Sequence, residues 1–204
     1  TSGSPVRGLV LDYVIGPWLI RANAARIRFA GDMNTAMLSD PLRMIGADAA
    51  ADSLRTKNTA TRFLSLGVVY DQGPLQVQGM LNRIRHETGV FQNSHAGYLL
   101  AGYRLGTLTP YAGVSWWKTK GRTNLPAVPD PALDEFYRGF IAGSKVDRTT
   151  YTLGTRWDWR ANMALKFQWD AVRASTDTSF SFAAVDAGWN GKTDVLSLTL
   201  DFVF

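Results

Sequence analysis

A chain of 204 residues is long enough for one ordinary domain or part of a larger one, and the absence of cysteine excludes disulfide frameworks, thiolate metal sites and cysteine nucleophiles. Charged residues make up only 19% against 46% hydrophobic and 12% aromatic, and the net charge of +5 comes from scattered arginines and lysines, which argues against nucleic acid as a partner. No run of about 18 uncharged apolar residues occurs, so no transmembrane helix is expected. The mean hydropathy of −0.10 is nevertheless what strands with apolar residues on alternate positions produce.

The start, Thr1-Ser2-Gly3-Ser4-Pro5, has no initiator Met and reads as a processed start or a fragment. From there the dominant signal is period two. Leu9, Leu11, Tyr13 and Ile15 lead through Gly16-Pro17 to Trp18, Ile20 and Ala22, with Arg21 and Asn23 on the other face and a bulge expected near Ala24-Ala25. Leu64, Leu66, Val68 and Tyr70 alternate with Ser65, Gly67, Val69 and Asp71. After Gly73-Pro74, Leu75, Val77, Gly79 and Leu81 alternate with Gln76, Gln78, Met80 and Asn82. Leu99, Ala101, Tyr103 and Leu105 alternate with Leu100, Gly102 and Arg104. Tyr151, Leu153, Thr155, Trp157 and Trp159 alternate with Thr152, Gly154, Arg156, Asp158 and Arg160, and Leu165, Phe167 and Trp169 with Lys166, Gln168 and Asp170. The last segment sorts most cleanly: Leu196, Leu198, Leu200, Phe202 and Phe204 on one face, Ser197, Thr199 and Asp201 on the other.

Nine strands follow from this reading, joined alternately by tight turns and by long connectors over Ala30–Asn58, His86–His95, Thr119–Asp147 and Ala174–Thr193. Short helix is expected only around Pro41–Arg55, where Ser39-Asp40-Pro41 offers a cap and a first-turn proline. Alternating short and long connections are the pattern of outer-membrane barrels, with short periplasmic turns and long extracellular loops. Such barrels have an even number of strands. The expected organisation is therefore a single all-β domain over residues 1–204, an antiparallel transmembrane β-barrel lacking its N-terminal part.

The polar face suits a wetted lumen, and its expected lining is Arg21, Asn23, Gln76, Gln78, Asn82, Arg104, Arg156, Asp158, Lys166, Gln168, Asp170 and Asp201. Its mixed signs leave a modest excess of cations, which would favour anions. Tyr13, Trp18, Tyr70, Tyr103, Trp157 and Trp159 recur beside the short turns, as an aromatic girdle at the lipid–water interface would.

The terminal strand, closing on Leu198, Leu200, Phe202 and Phe204, resembles the C-terminal assembly signal of bacterial outer-membrane proteins. The wider chain resembles the C-terminal half of the Gram-negative trimeric porin superfamily, on stretches such as Leu64-Ser65-Leu66-Gly67-Val68-Val69-Tyr70-Asp71, Leu99 to Gly106 with Thr109-Pro110-Tyr111, and Tyr151 to Asp158. The resemblance implies a barrel of about 16 strands. It also implies passive diffusion of small hydrophilic solutes or ions without a cofactor. Implied partners are a homotrimer, outer-membrane lipid and lipopolysaccharide, and the barrel assembly machinery.

Candidates for chemistry are sparse. His86 and His95 flank one connector, where they could meet across a hairpin mouth, with Glu87 their only close acid, and two histidines rarely make a defined metal site. Ser94 beside His95 is the only adjacent nucleophile–base pair, and no third member is readable. The acids Asp130, Asp134, Glu135 and Asp147 are weak candidates for Ca²⁺. No catalysis is therefore expected. Two alternatives stand beside the porin reading: an outer-membrane barrel enzyme or adhesin with functional extracellular loops, and a soluble β-sandwich binding module.

Overall fold

A chain whose apolar and polar residues alternate, interrupted by Gly-Pro pairs, folds each strand back on its predecessor. The computed structural model describes residues 3–122, 124–178 and 188–203. Its strands are β1 (Val6–Ile15), β2 (Trp18–Arg28), β3 (Ala60–Gln72), β4 (Leu75–His86), β5 (Asn93–Tyr103), β6 (Leu108–Lys120), β7 (Asp147–Arg160), β8 (Met163–Ala174) and β9 (Lys192–Phe202). They form one sheet in sequence order, every neighbouring pair antiparallel. Gly16 and Gly73 take positive φ, 54° and 57°, which two-residue hairpin turns require. The long connectors fall at 29–59, 87–92, 121–146 and 175–191, close to their expected bounds.

Three expectations need correction. The sheet is not closed into a barrel: β1 and β9 are its two edges and do not pair with each other. With nine antiparallel strands the first and last run in the same direction, so they cannot complete the antiparallel ladder. The bulge expected near Ala24-Ala25 is absent, since β2 keeps register with both neighbours throughout, and the irregularity lies instead between Trp157 and Arg160. The sandwich alternative has no second sheet among the described residues, and the apolar face lies open, with Leu64 55% and Leu198 70% exposed.

Helix formation also departs from the sequence reading. Helix α1 (Ala36–Met44) begins before the proline, because the Thr35 carbonyl already accepts bonds from the Leu38 and Ser39 amides. Gly46, at φ 75°, ends that run, and α2 (Asp48–Ser53) follows as a separate short helix. Helix α3 (Pro131–Ala142) lies in a connector read as irregular. Asp130 caps it, its carboxylate accepting from the Leu133 amide at 2.8 Å, and Pro131 takes the first turn, where a missing N–H costs nothing.

These helices place the apolar core outside the sheet. Leu38, Leu42, Ala50, Ala51 and Leu54 from the first long connector pack with Val90 from the second and with Tyr137 and Ile141 from the third. Three connectors thus fold into one cap at the long-loop end of the sheet.

Candidate functional site

Cross-strand register puts the expected lining residues on one face of the wall, where they bond to one another. Arg21 forks onto Asp12 at 2.7 and 2.6 Å, and the Asn23 amide donates to Ser65 at 2.8 Å. Arg104 and Gln76 both reach Asp71, at 2.9 and 3.1 Å. Arg156 binds Asp158 at 2.9 Å and Asp201 at 3.1 Å. Gln168 donates to Asp170 at 2.7 Å and accepts from the Tyr111 hydroxyl at 3.0 Å. The Lys166 ammonium sits 5.4 Å from the Tyr111 ring centre. Gln78, Gln168 and Lys166 line a cavity of about 610 Å³ on this face, and the Asn82 side-chain carbonyl is buried without a hydrogen-bond partner among the described residues. The expected cationic excess is largely cancelled here, because Arg21, Arg104 and Arg156 each hold a carboxylate.

Tyr111 has a second role in this wall. A Cβ on Gly154, directly opposite, would overlap its ring, so the glycine lets the ring lie flat across the strand. On the other face the girdle residues gather by the short turns. Trp18 and Tyr70 stand 4.7 Å apart, Trp157 and Trp159 5.9 Å apart, and Tyr13 and Tyr103 are exposed. Leu198, Leu200 and Phe202 are exposed on the same apolar face; Phe204, the last member of the expected assembly signal, lies outside the described residues.

The candidates for chemistry do not converge. His86 turns to the inner face, its Nδ1 2.8 Å from the Thr61 hydroxyl, whereas His95 is outward on β5 opposite Arg83. Ser94 and His95 are successive strand residues on opposite faces, with Ser94 buried, so they form no nucleophile–base pair. The acids proposed for Ca²⁺ are engaged elsewhere: Asp130 caps α3, Asp134 binds Arg138 at 2.7 Å, and Asp147 lies 3.8 Å from Lys118. No group of three metal-ligating side chains exists among the described residues.

What the sequence reading missed is the cap. The Ser53 hydroxyl and the Tyr137 hydroxyl meet at 2.7 Å, and the buried Gln92 amide donates to the Ile141 carbonyl at 2.8 Å. The Gly89 amide donates to the Ser53 carbonyl at 2.7 Å, and Arg122 donates to the Thr88 carbonyl. Leu133, Tyr137 and Ile141 recur at helical spacing behind Asp130-Pro131, a signal that would have revealed α3. Beside the cap core, Asp32 accepts from the backbone amides of Thr56 and Lys57 at 2.8 and 2.7 Å. The Lys57 amide bond first, then that of Thr56 and the nearby Arg55 and Lys57 charges, hold its carboxyl below the ordinary aspartate range against a smaller cost of burial. Asp32, Ser39, Arg43 and Arg55 line a cavity of about 240 Å³.

No family model matches the chain, and no curated protein does. Solved structures do. The chain is similar to OmpT folded in vitro, an outer membrane protein of Vibrio cholerae, with TM-score 0.57 and 9% identity over 98% of this chain and 55% of that one. It is also similar to a loop L8 deletion mutant of the same protein, with TM-score 0.55 and 11% identity over 86% of this chain and 50% of that one. The chain thus spans about half the length of these structures.

These findings overturn the porin expectations. The structures matched are described as OmpT, an outer membrane protein, and not as members of the trimeric porin superfamily, so that resemblance is withdrawn. Passive diffusion and the homotrimer rested on it and are withdrawn with it. The expectation of no catalysis is withdrawn as well, because likeness to OmpT at about one-tenth identity is a likeness of fold and denies no activity. What stands is the fold of an outer-membrane protein, an exposed apolar face on its sheet, and a place in the bacterial outer membrane.

Proposed function

We propose that this chain is the wall section of an outer-membrane barrel whose activity is carried by the folded extracellular cap, a surface for recognising molecules outside the cell. The observation that carries the reading is the joining of three separate connectors, 29–59, 87–92 and 121–146, around one buried core with Tyr137 and Leu42 at 0% exposure. A loop that only links strands has no need of a core, whereas a binding surface gains affinity when its ordering is completed before the ligand arrives. The cavity between Asp32, Ser39, Arg43 and Arg55 offers the ligand a carboxylate, a hydroxyl and two guanidinium groups. The polar inner face of the wall serves as a wetted interior beneath this cap.

The test compares whole cells displaying the wild-type protein, the Arg55→Gln variant and a variant with residues 31–57 replaced by a short Gly-Ser link. Each is assayed for adhesion to immobilised extracellular polymers and for cleavage of a peptide and ester panel, after surface display has been verified by antibody. The reading expects activity in one assay that the deletion abolishes and Arg55→Gln reduces. Activity retained in full by the deletion variant overturns it.

A further inference from the structure

Arginines are treated differently on the two faces of the wall. On the inner face Arg21, Arg104 and Arg156 each hold a carboxylate at 3.1 Å or less. On the outer face, towards the cap, the positions that continue the leucine series turn basic with few matching acids. Register sets Arg7 opposite Arg26, Arg26 opposite Arg62 and Arg62 opposite Arg85, so four arginines stand in one row across β1 to β4. One pleat closer to the membrane centre, Arg83 faces His95, and His95 faces Lys118. Like charges directly opposite one another destabilise a sheet. Glu87 relieves Arg62 at 3.0 Å and Asp147 approaches Lys118 at 3.8 Å, but among the described residues neither Arg83 nor Arg85 has a carboxylate in ion-pair reach.

These side chains also shape a concavity. Arg62, Arg83, Arg85, His95 and Lys120 line a cavity of about 360 Å³ in which Glu87 is the one acid among the described residues. Its height in the membrane follows from the strand. Arg26 lies eight residues beyond the girdle residue Trp18. Trp18 to Arg26 inclusive is nine residues, and a tilted strand crosses the apolar core in about 9–11. The row therefore stands at the membrane surface on the cap side, where lipid head groups lie.

We propose that this cavity binds the phosphate groups of a glycolipid head group in the outer leaflet. Guanidinium forks match phosphate oxygens in geometry as well as charge, and an anion seated among Arg62, Arg83 and Arg85 supplies the counter-charge that the inner face obtains from its own aspartates. The inference rests on the wall's place in the membrane and is independent of what the cap recognises.

To test it, the full-length protein is folded in detergent micelles, with folding verified by its heat-shifted mobility. It is then titrated with a bis-phosphorylated glycolipid (lipid A), with the dephosphorylated form and with inorganic phosphate, and bound molecules are counted by native mass spectrometry. Arg83→Gln/Arg85→Gln should weaken lipid A binding by about tenfold or more, whereas Arg138→Gln/Lys145→Gln, with the same loss of charge on the cap, should leave it within about twofold. Dephosphorylated lipid should bind the wild type no better than it binds the glutamine variant. Equal loss in the two double variants, or equal binding of the dephosphorylated lipid, overturns the proposal. Inorganic phosphate binding as tightly as lipid A overturns the head group as the source. Should the glutamine variant fail to fold, Arg83→Lys/Arg85→Lys keeps the charge and removes the fork: weakened binding supports the site, and unchanged binding overturns it.

Discussion

The wall and the cap sort their apolar residues in opposite directions. In the wall Leu198 is 70% exposed and Leu64 55%, while the polar side chains turn inward and bond to one another. In the cap Leu42 and Tyr137 are 0% exposed. One chain thus obeys two solvents: the wall presents its hydrocarbon to lipid, and the cap hides its own from water. The basic row from Arg7 to Arg85 lies at the end of the sheet nearest the cap, between the two regions.

Changes that ignore this division should be the most damaging. Leu42→Ala removes a fully buried side chain from the cap core and should cost about 2–5 kcal/mol of local stability. Proteolysis of residues 29–59 should rise steeply while the wall keeps its heat-shifted mobility, and simultaneous loss of the wall would show that the two are one cooperative unit. Phe167→Arg carries a charge to the lipid face and should cost about 2–4 kcal/mol in refolding titrations in vesicles. Its sequence neighbour Gln168→Arg stays beside Asp170 on the wetted face and should cost about 1 kcal/mol or less. Equal costs for the pair would show that the two faces are not differently solvated.

Smaller effects sharpen the account of the cap. Tyr137→Phe deletes the hydroxyl that meets Ser53 and should loosen the α2–α3 contact by about 1 kcal/mol, read from hydrogen exchange at 48–53. Asp32 should make the first connector acid-sensitive. Its carboxyl is held below the ordinary value of about 3.9, so its stabilisation is complete above that value and is lost as pH falls through the folded pKa. Proteolysis of residues 29–59 should therefore accelerate below about pH 4 in the wild type, and Asp32→Asn should flatten that dependence. An unchanged profile would place the acid sensitivity elsewhere.

The wall was legible because its signal is local. Gly16-Pro17 and Gly73-Pro74 announce turns, and the alternation between them sets which side chains share a face. The open sheet was not legible, since alternation within strands does not say whether the edge strands β1 and β9 pair. Helix α3 was misread because Asp130, Asp134 and Glu135 were weighed as cation ligands, although Asp130-Pro131 is also a helix start. The basic row stayed hidden for a different reason. Arg26, Arg62 and Arg85 are far apart in sequence, and only register aligns them. Carrying the period-two count past Leu81 to Arg83 and Arg85 would have put both on the lipid side.

The central claim, that the apolar face meets lipid while the cap stands outside the cell, is tested most directly by single cysteines, since the chain has none of its own. Phe136→Cys marks the exposed side of α3, and Leu66→Cys marks the middle of the apolar face. Intact cells treated with a membrane-impermeant maleimide should label Phe136→Cys readily and leave Leu66→Cys unlabelled. Labelling of Leu66→Cys at a comparable rate, or labelling of Phe136→Cys only after the cells are broken, would contradict the account.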